Sequence, residues 1–181
     1  MSQDDERWAA AFPTLFAERF IDYADYQVGF TTRPVPEDLV ARLHLVARTP
    51  QRQVIVCRSI QEWRFLPGGT REDGESLVEL ACRELLEEAG ARVTGSVEIF
   101  ASEVADSLGA GPFRPHLPHP RSYWAYAVTE AEVVAPPTNP DDGEHVVEVL
   151  TLPPERAADY LAVHDLIHAG VVRLAQAMGL T

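Results

Sequence analysis

A chain of 181 residues, 46% apolar and 24% charged, holds enough apolar material for one buried core, which sets aside a disordered tail or a fibre. Its 15 basic against 28 acidic residues leave a net charge of −13, the wrong sign for gripping duplex nucleic acid or an anionic membrane surface. No apolar run approaches the roughly 18 residues of a membrane span, and the acidic opening at Asp4, Asp5 and Glu6 is not a basic-then-apolar signal, so a cytoplasmic protein is expected.

Residues 8–30 are dense in aromatics, among them Trp8, Phe12, Phe16, Phe20, Tyr23, Tyr26 and Phe30, and Pro13 suits a first helical position, so a helix is predicted over 13–24. Residues 1–34 are expected to form an aromatic-rich helical extension ahead of a main domain at 35–181. Its rings should cover a sheet edge or build a symmetric dimer interface, the dimer being preferred. Runs of β-formers at 40–47 and 54–58 flank a turn cluster and predict a hairpin. A shorter strand at 63–66 stops at Pro67, Gly68 and Gly69. Over 76–89 the apolar Leu77, Val78, Ala81, Cys82, Leu85, Leu86 and Ala89 fall within about half of a helical circumference, and Gly90 supplies the stop. Strands follow at 95–104, 122–128 and 146–152, joined by proline-rich loops at 106–121 and 135–144, and a helix at 164–178 ends the order. Cys57 and Cys82 lie in apolar-patterned segments and read as buried free thiols, while His44, His164 and His168 read as packing or surface residues. The order predicts an α/β fold with a mixed sheet between helical layers.

The chemistry concentrates at 69–90, which holds seven acids (Glu72, Asp73, Glu75, Glu79, Glu84, Glu87, Glu88) and only two arginines, Arg71 and Arg83. Glu84, Glu87 and Glu88, at i, i+3 and i+4, spread over only about 100° of one helix face. Carboxylates so close repel unless something positive sits among them, and hard divalent cations take oxygen ligands of this kind. Arg83 can reach Glu79 or Glu87 at four-residue spacing and orient an acid beside the cation. All fifteen basic residues are arginines, so neither a Schiff-base lysine nor a phosphate-loop lysine can contribute. The competing reading of the helix is a solvated acidic face.

The spacing of the whole stretch decides between them. It matches Gly-x5-Glu-x7-Arg-Glu-U-x-Glu-Glu-x-Gly-U at Gly69, Glu75, Arg83, Glu84, Leu85, Glu87, Glu88 and Gly90, with the small Ala91 at the final apolar position. Seven fixed identities arise by chance on the order of once per million such chains. The stretch resembles the box of the Nudix hydrolases, and the resemblance extends over about residues 38–160. It implies an α/β/α sandwich and hydrolysis of a nucleoside diphosphate linked to another group. It further implies magnesium, or manganese in its place, held by Glu84, Glu87, Glu88 and the Gly69 carbonyl, with Glu75 and Arg83 in support. The implied partner is a small nucleotide substrate, possibly a nucleoside-diphosphate sugar. The alternative is a domain of the same fold that senses a nucleotide without cleaving it.

The base that activates water comes from outside the box in many related enzymes, which draws attention to Asp141, Asp142 and Glu144 in the acidic loop and Glu148 on the next strand. Glu144 is preferred, with Glu88 as the alternative within the box. Phe113, Arg114, His116, His119 and Arg121 suit a lid that grips phosphate and stacks on a base, or a plain connector. Arg64 and Arg71, flanking the glycine loop, are further candidates for steering phosphate. Relatives acting on ADP-ribose often carry a proline soon after the box, and those acting on dinucleoside polyphosphates a tyrosine. Here no proline occurs over 91–111 and the first tyrosine after the box is Tyr123.

Overall fold

The computed structural model describes residues 3–22, 24–141 and 143–181. Tyr23 and Asp142 lie outside the described residues. A mixed sheet carries the molecule, and strand alternation sends its two faces to different helices. In chain order the elements are α1 (Gln3–Ala11), α2 (Pro13–Phe16), β1 (Arg19–Ile21), β2 (Tyr26–Thr31), β3 (Val40–Arg48), β4 (Val54–Ser59), β5 (Arg64–Phe65), β6 (Gly68–Thr70), α3 (Leu77–Ala89), β7 (Ala91–Val93), β8 (Glu98–Ser107), β9 (Arg121–Val133), β10 (Val146–Leu152), α4 (Pro154–Leu161) and α5 (Leu166–Ala177). The strands run in the order β1-β2-β8-β9-β3-β4-β10, with β5, β6 and β7 as short side pairings. The central pair β3 and β9 is parallel, with Leu43 opposite Ala125 and Leu45 opposite Ala127, and the neighbouring pairs are antiparallel.

Along β3, Leu43, Leu45 and Ala47 enter the core beneath α3, together with Ile55, Cys57, Ala125, Leu80 and Leu85. The alternate residues Val46, Val54, Val56, Tyr126 and Val128 pack on the other face against α4, α5 and the N-terminal helices. The expected sandwich is therefore present, with two helices rather than one after the last strand. The second of them, α5, is capped by Asp165, whose carboxylate accepts from the N–H groups of Ile167 and His168. His168 is buried and its Nδ1 accepts from the Leu66 N–H at 3.2 Å, whereas His164 is exposed.

The N-terminal segment departs from the predicted helix over 13–24. Helix α2 ends at Phe16, and 19–21 and 26–31 are strands, with β2 adding to β8 through Tyr26 opposite Ser107 and Phe30 opposite Glu103. The alternation of buried and half-buried residues in Tyr26–Thr31 is that of a strand laid on a core. Leu15 is fully buried, and Trp8, Phe12 and Phe16 pack against α5 and the sheet. Trp8, Phe12, Phe16, Tyr26 and Phe30 thus find cover within the same molecule, Phe20 is half exposed, and β1 and β2 form the sheet edge. A partly buried ion pair between Arg19 and the buried Glu103 fastens this edge to β8.

Two details of α3 also differ from expectation. Val78, Cys82 and Leu86 are exposed, and the buried line runs instead through Leu77, Leu80, Ala81, Glu84, Leu85 and Glu88. The helix has turned so that two of its glutamates, rather than three apolar residues, face inward. No helix among the described residues is long and apolar enough to cross a membrane.

Candidate active site

The glycine loop and α3 are fixed to one another by local chemistry. Ser76 and Glu79 form a reciprocal capping box, in which the Ser76 hydroxyl accepts from the Glu79 N–H at 3.2 Å and the Glu79 carboxylate accepts from the Ser76 N–H at 2.9 Å. Glu79 is therefore occupied at the helix start and is not the partner of Arg83. Arg83 reaches back instead, donating to Glu75 at 2.8 and 3.1 Å and to the Thr70 carbonyl at 3.1 Å. Burial alone would raise the Glu75 carboxyl, but the Arg83 hydrogen bonds and the Glu72 N–H outweigh it and hold Glu75 below the usual range. The same guanidinium reaches Glu84 at 2.8 Å and Glu87 at 3.2 Å, so one cation orders three carboxylates.

Gly69 passes so close to Glu84 that a Cβ on it would stand 2.1 Å from the carboxylate Oε1, which is why no side chain fits there. The neighbouring Gly68 N–H donates to Glu88 Oε2 at 2.8 Å. Glu84 and Glu88 are both buried at the floor of the groove. Burial raises the Glu84 carboxyl against the opposing charge of Arg83. Burial raises Glu88 further still, helped by the charges of Glu84, Glu144 and Glu87. Desolvated carboxylates that repel one another have the donor chemistry a hard divalent cation requires, and its charge would relieve both costs. Among the described residues no three side chains are already arranged in a coordination shell, and Arg83 holds Glu84 and Glu87 by hydrogen bonds. The residues therefore fit a cation as an all-oxygen donor set, with Arg83 bound to only one oxygen of Glu84 and one of Glu87.

At its far end α3 stops at Gly90 in the left-handed region, φ 57°, where a Cβ would collide with the Ala135 carbonyl at 1.9 Å. The 135–144 loop docks on this end. The N–H groups of Val134 and Ala135 donate to the Gly90 carbonyl, and those of Thr138 and Asn139 to the Glu87 carbonyl at 3.0 and 3.3 Å. Asn139 then closes the loop by exchanging two hydrogen bonds with the backbone of Val146, at 2.8 and 2.9 Å. These contacts bring Pro140, Gly143 and Glu144 to the wall of a groove of about 310 Å³ that also holds Gly69, Arg83, Glu84, Glu87 and Glu88. Of the other base candidates, Glu148 is committed elsewhere. Its carboxylate accepts from Arg58 at 3.1 Å and from the Tyr160 hydroxyl at 2.9 Å, and both bonds hold it below the usual range. Asp142 falls outside the described residues.

The arginines divide unequally. Arg114 lines the groove from the proline-rich loop. Arg71 donates to the carbonyls of Glu37 and Glu75 and so braces the glycine loop. Arg64 stacks 4.3 Å from the centre of the Tyr160 ring and donates to that residue's carbonyl, and Arg121 is paired with Asp106, so neither lines the groove. In their place the fold presents Arg42, on β3, which sequence reasoning passed over because it is one arginine inside an apolar strand. The only signal was the alternation Arg42, His44, which marks a polar strip on an otherwise apolar element. His116 and His119 bond the carbonyls of Arg71 and Gly109 and serve to seat the loop.

Residues 39–174 match the model of the NUDIX domain. Among solved structures, a pyrophosphohydrolase of Bacillus subtilis is similar at TM-score 0.61 and 16% identity, over 90% of this chain and 98% of that one. A NUDIX hydrolase of Nitrosomonas europaea gives 0.52 and 17%, over 76% of this chain and 88% of that one. A MutT protein of Methanosarcina mazei also gives 0.52 and 17%, over 78% and 96%. At such identities the likeness is one of fold. No curated protein sequence matches the chain.

Proposed function

Because the chain belongs to the Nudix family of hydrolases, we propose that it cleaves the diphosphate of a nucleoside diphosphate joined to a second group such as a sugar, in a magnesium-dependent reaction at the α3 groove. The observation that carries this reading is the convergence of Glu84, Glu87 and Glu88 beside Gly69, in a groove whose other wall bears two arginines. Glu84, Glu87, Glu88 and the Gly69 carbonyl would hold the cation. Such an ion, when bound, neutralises the diphosphate and lowers the pKa of a coordinated water.

The rest is the work of the chain's own groups. Glu75 anchors Arg83, and Arg83 sets the direction of the Glu84 and Glu87 carboxylates, as an outer partner does for metal ligands. Arg114 and Arg42 offer guanidinium N–H donors to phosphate oxygens. Glu144, delivered by the loop tied to α3, accepts a proton from the attacking water as its oxygen bonds to phosphorus and the bond to the leaving phosphate breaks. Its place in the groove that Glu84, Glu87 and Glu88 also line supports that role.

The test is turnover of a panel of nucleoside diphosphate derivatives by purified protein in magnesium, read as release of nucleoside monophosphate. Turnover that ceases in excess chelator and returns with magnesium or manganese is expected. Undiminished turnover in chelator, or none on any diphosphate, overturns the reading.

A further inference from the structure

Next to the carboxylate groove lies a second cavity of about 320 Å³, which shares Arg42, Thr70 and Arg114 with it. Its chemistry is the reverse of the groove's. Tyr26 from β2, Trp124 from β9 and Phe113 from the proline-rich loop line it, and no carboxylate among the described residues does. Tyr26 and Trp124 meet edge to face with centres 5.5 Å apart, which fixes the Trp124 ring. Phe113 is 71% exposed, a large ring at the cavity wall left open to water. The volume sits at the small end of the ~300–1,000 Å³ found for small-molecule sites.

The shared wall is the informative part. Of the three arginines lining the groove, Arg83 is consumed by Glu75, Glu84 and Glu87. Arg42 and Arg114 have no hydrogen-bonding or ion-pair partner for their side chains among the described residues, and the Arg42 Nε is buried and unbonded. Arg42 lies 5.3 Å from the centre of the Trp124 ring, so a cation stands between an aromatic cavity and an anionic groove. In a chain of net charge −13, unpaired guanidinium groups at this junction are complementary to a phosphate bridging the two spaces.

We infer that the aromatic cavity takes the base of the nucleotide, stacked on Trp124 and Phe113, while Arg42 holds the phosphate nearest the nucleoside. The inference rests on the diphosphate-cleavage reading and names the residues that would meet the substrate's planar aromatic ring, on the cavity side of Arg42. Isoprenyl diphosphates and inositol polyphosphates, which have no such ring, would leave the cavity empty. It also gives β2 a part in selection, because Tyr26 belongs to the segment ahead of the box domain. Phe113 makes the proline-rich loop a second wall that the base would cover.

The experiment separates binding from turnover. Calorimetric titration of the full chain in chelator, with four nucleoside monophosphates and with ribose 5-phosphate, should show at least one nucleotide binding about tenfold or more tighter than the sugar phosphate, a gap typical of base stacking. Phe113→Ala, at an exposed position that folding does not depend on, should close most of that gap and leave ribose 5-phosphate unchanged. Trp124→Leu should do the same, and Arg42→Gln should weaken both ligands. Equal affinity for ribose 5-phosphate and every nucleotide, no measurable nucleotide binding, or a Phe113→Ala protein with the full nucleotide preference overturns the assignment. Nucleotide binding with no hydrolysis of any diphosphate in magnesium would retain the cavity and reject the reaction. Hydrolysis of ring-free diphosphates as fast as nucleotides would do the opposite.

Discussion

The carboxylate groove and the aromatic cavity touch along Arg42, Thr70 and Arg114, yet they are built in opposite ways. Most of the groove comes from one short stretch, 68–88, where a capped helix and its glycine loop hold each other in place. The cavity is gathered from β2, β3, β9 and the proline-rich loop, segments that meet only because the sheet has the order β2-β8-β9-β3. Chemistry that depends on a few oxygens can be encoded locally, and a shape that selects a ligand has to be assembled by topology.

The largest effects should come from the local half. Glu87→Gln or Glu88→Gln is expected to lower kcat by about a hundredfold or more, with the circular dichroism spectrum unchanged. Near-normal turnover in either variant would show that the groove is not where the reaction occurs. Next, Glu144→Gln should lower kcat about tenfold or more with KM nearly constant. If Asp142→Asn shows that loss instead, the role moves within the loop. Should neither variant lose activity, the base belongs to α3 itself. A cavity variant should behave differently, with Phe113→Ala raising KM severalfold while kcat holds. An equal fall in kcat would erase the distinction between the two halves.

A smaller effect concerns stability. Glu88 is a buried carboxylate facing the charges of Glu84 and Glu144, so Glu88→Gln should raise the melting temperature in chelator while removing activity, each kcal/mol recovered being worth about 2–4 °C. The smallest lies away from both regions. Glu148 is held below its usual range by Arg58 and Tyr160, so its contribution is complete above the unfolded carboxylate pKa and is lost as pH falls through the lower folded value. Glu148→Gln should therefore narrow the stability difference between neutral and acidic melts and leave turnover at neutral pH alone. A change in kcat would return Glu148 to the list of bases.

The same contrast explains what could be read from the sequence. The box residues are contiguous, so Gly69, Glu75, Arg83 and the three glutamates could be placed before any tertiary contact was known. The choice between Glu79 and Glu87 as the partner of Arg83 was open, because Glu79 has two possible uses and only the capping geometry at Ser76 shows which one prevails. Arg42 was illegible, since its value lies in having no hydrogen-bonding or ion-pair partner among the described residues, and partners are a property of the fold. Strands β1 and β2 were hidden within a run of aromatics without a clean period. Helix α4 begins at Pro154, two residues after β10 ends at Leu152, with no loop to mark it as a separate element. The inward line of α3 was misjudged at Val78 and Leu86 because hydrophobicity alone does not anticipate a helix that buries glutamates at a functional face.

The hydrogen bonds from Thr138 and Asn139 to the Glu87 carbonyl carry a consequence for engineering. One residue presents its side chain to the groove and its backbone to the loop that bears Glu144. The loop therefore acts as a ruler measured from the helix end, and Asn139 fixes where the measurement stops. A residue inserted between 140 and 143 would change the reach of Glu144 and leave both anchors intact. An insertion in the connection between the β7 and β8 strands would not alter it. The smallest piece that could be transplanted with its chemistry thus runs from the glycine loop to the first residue of β10, far beyond the box that announces it.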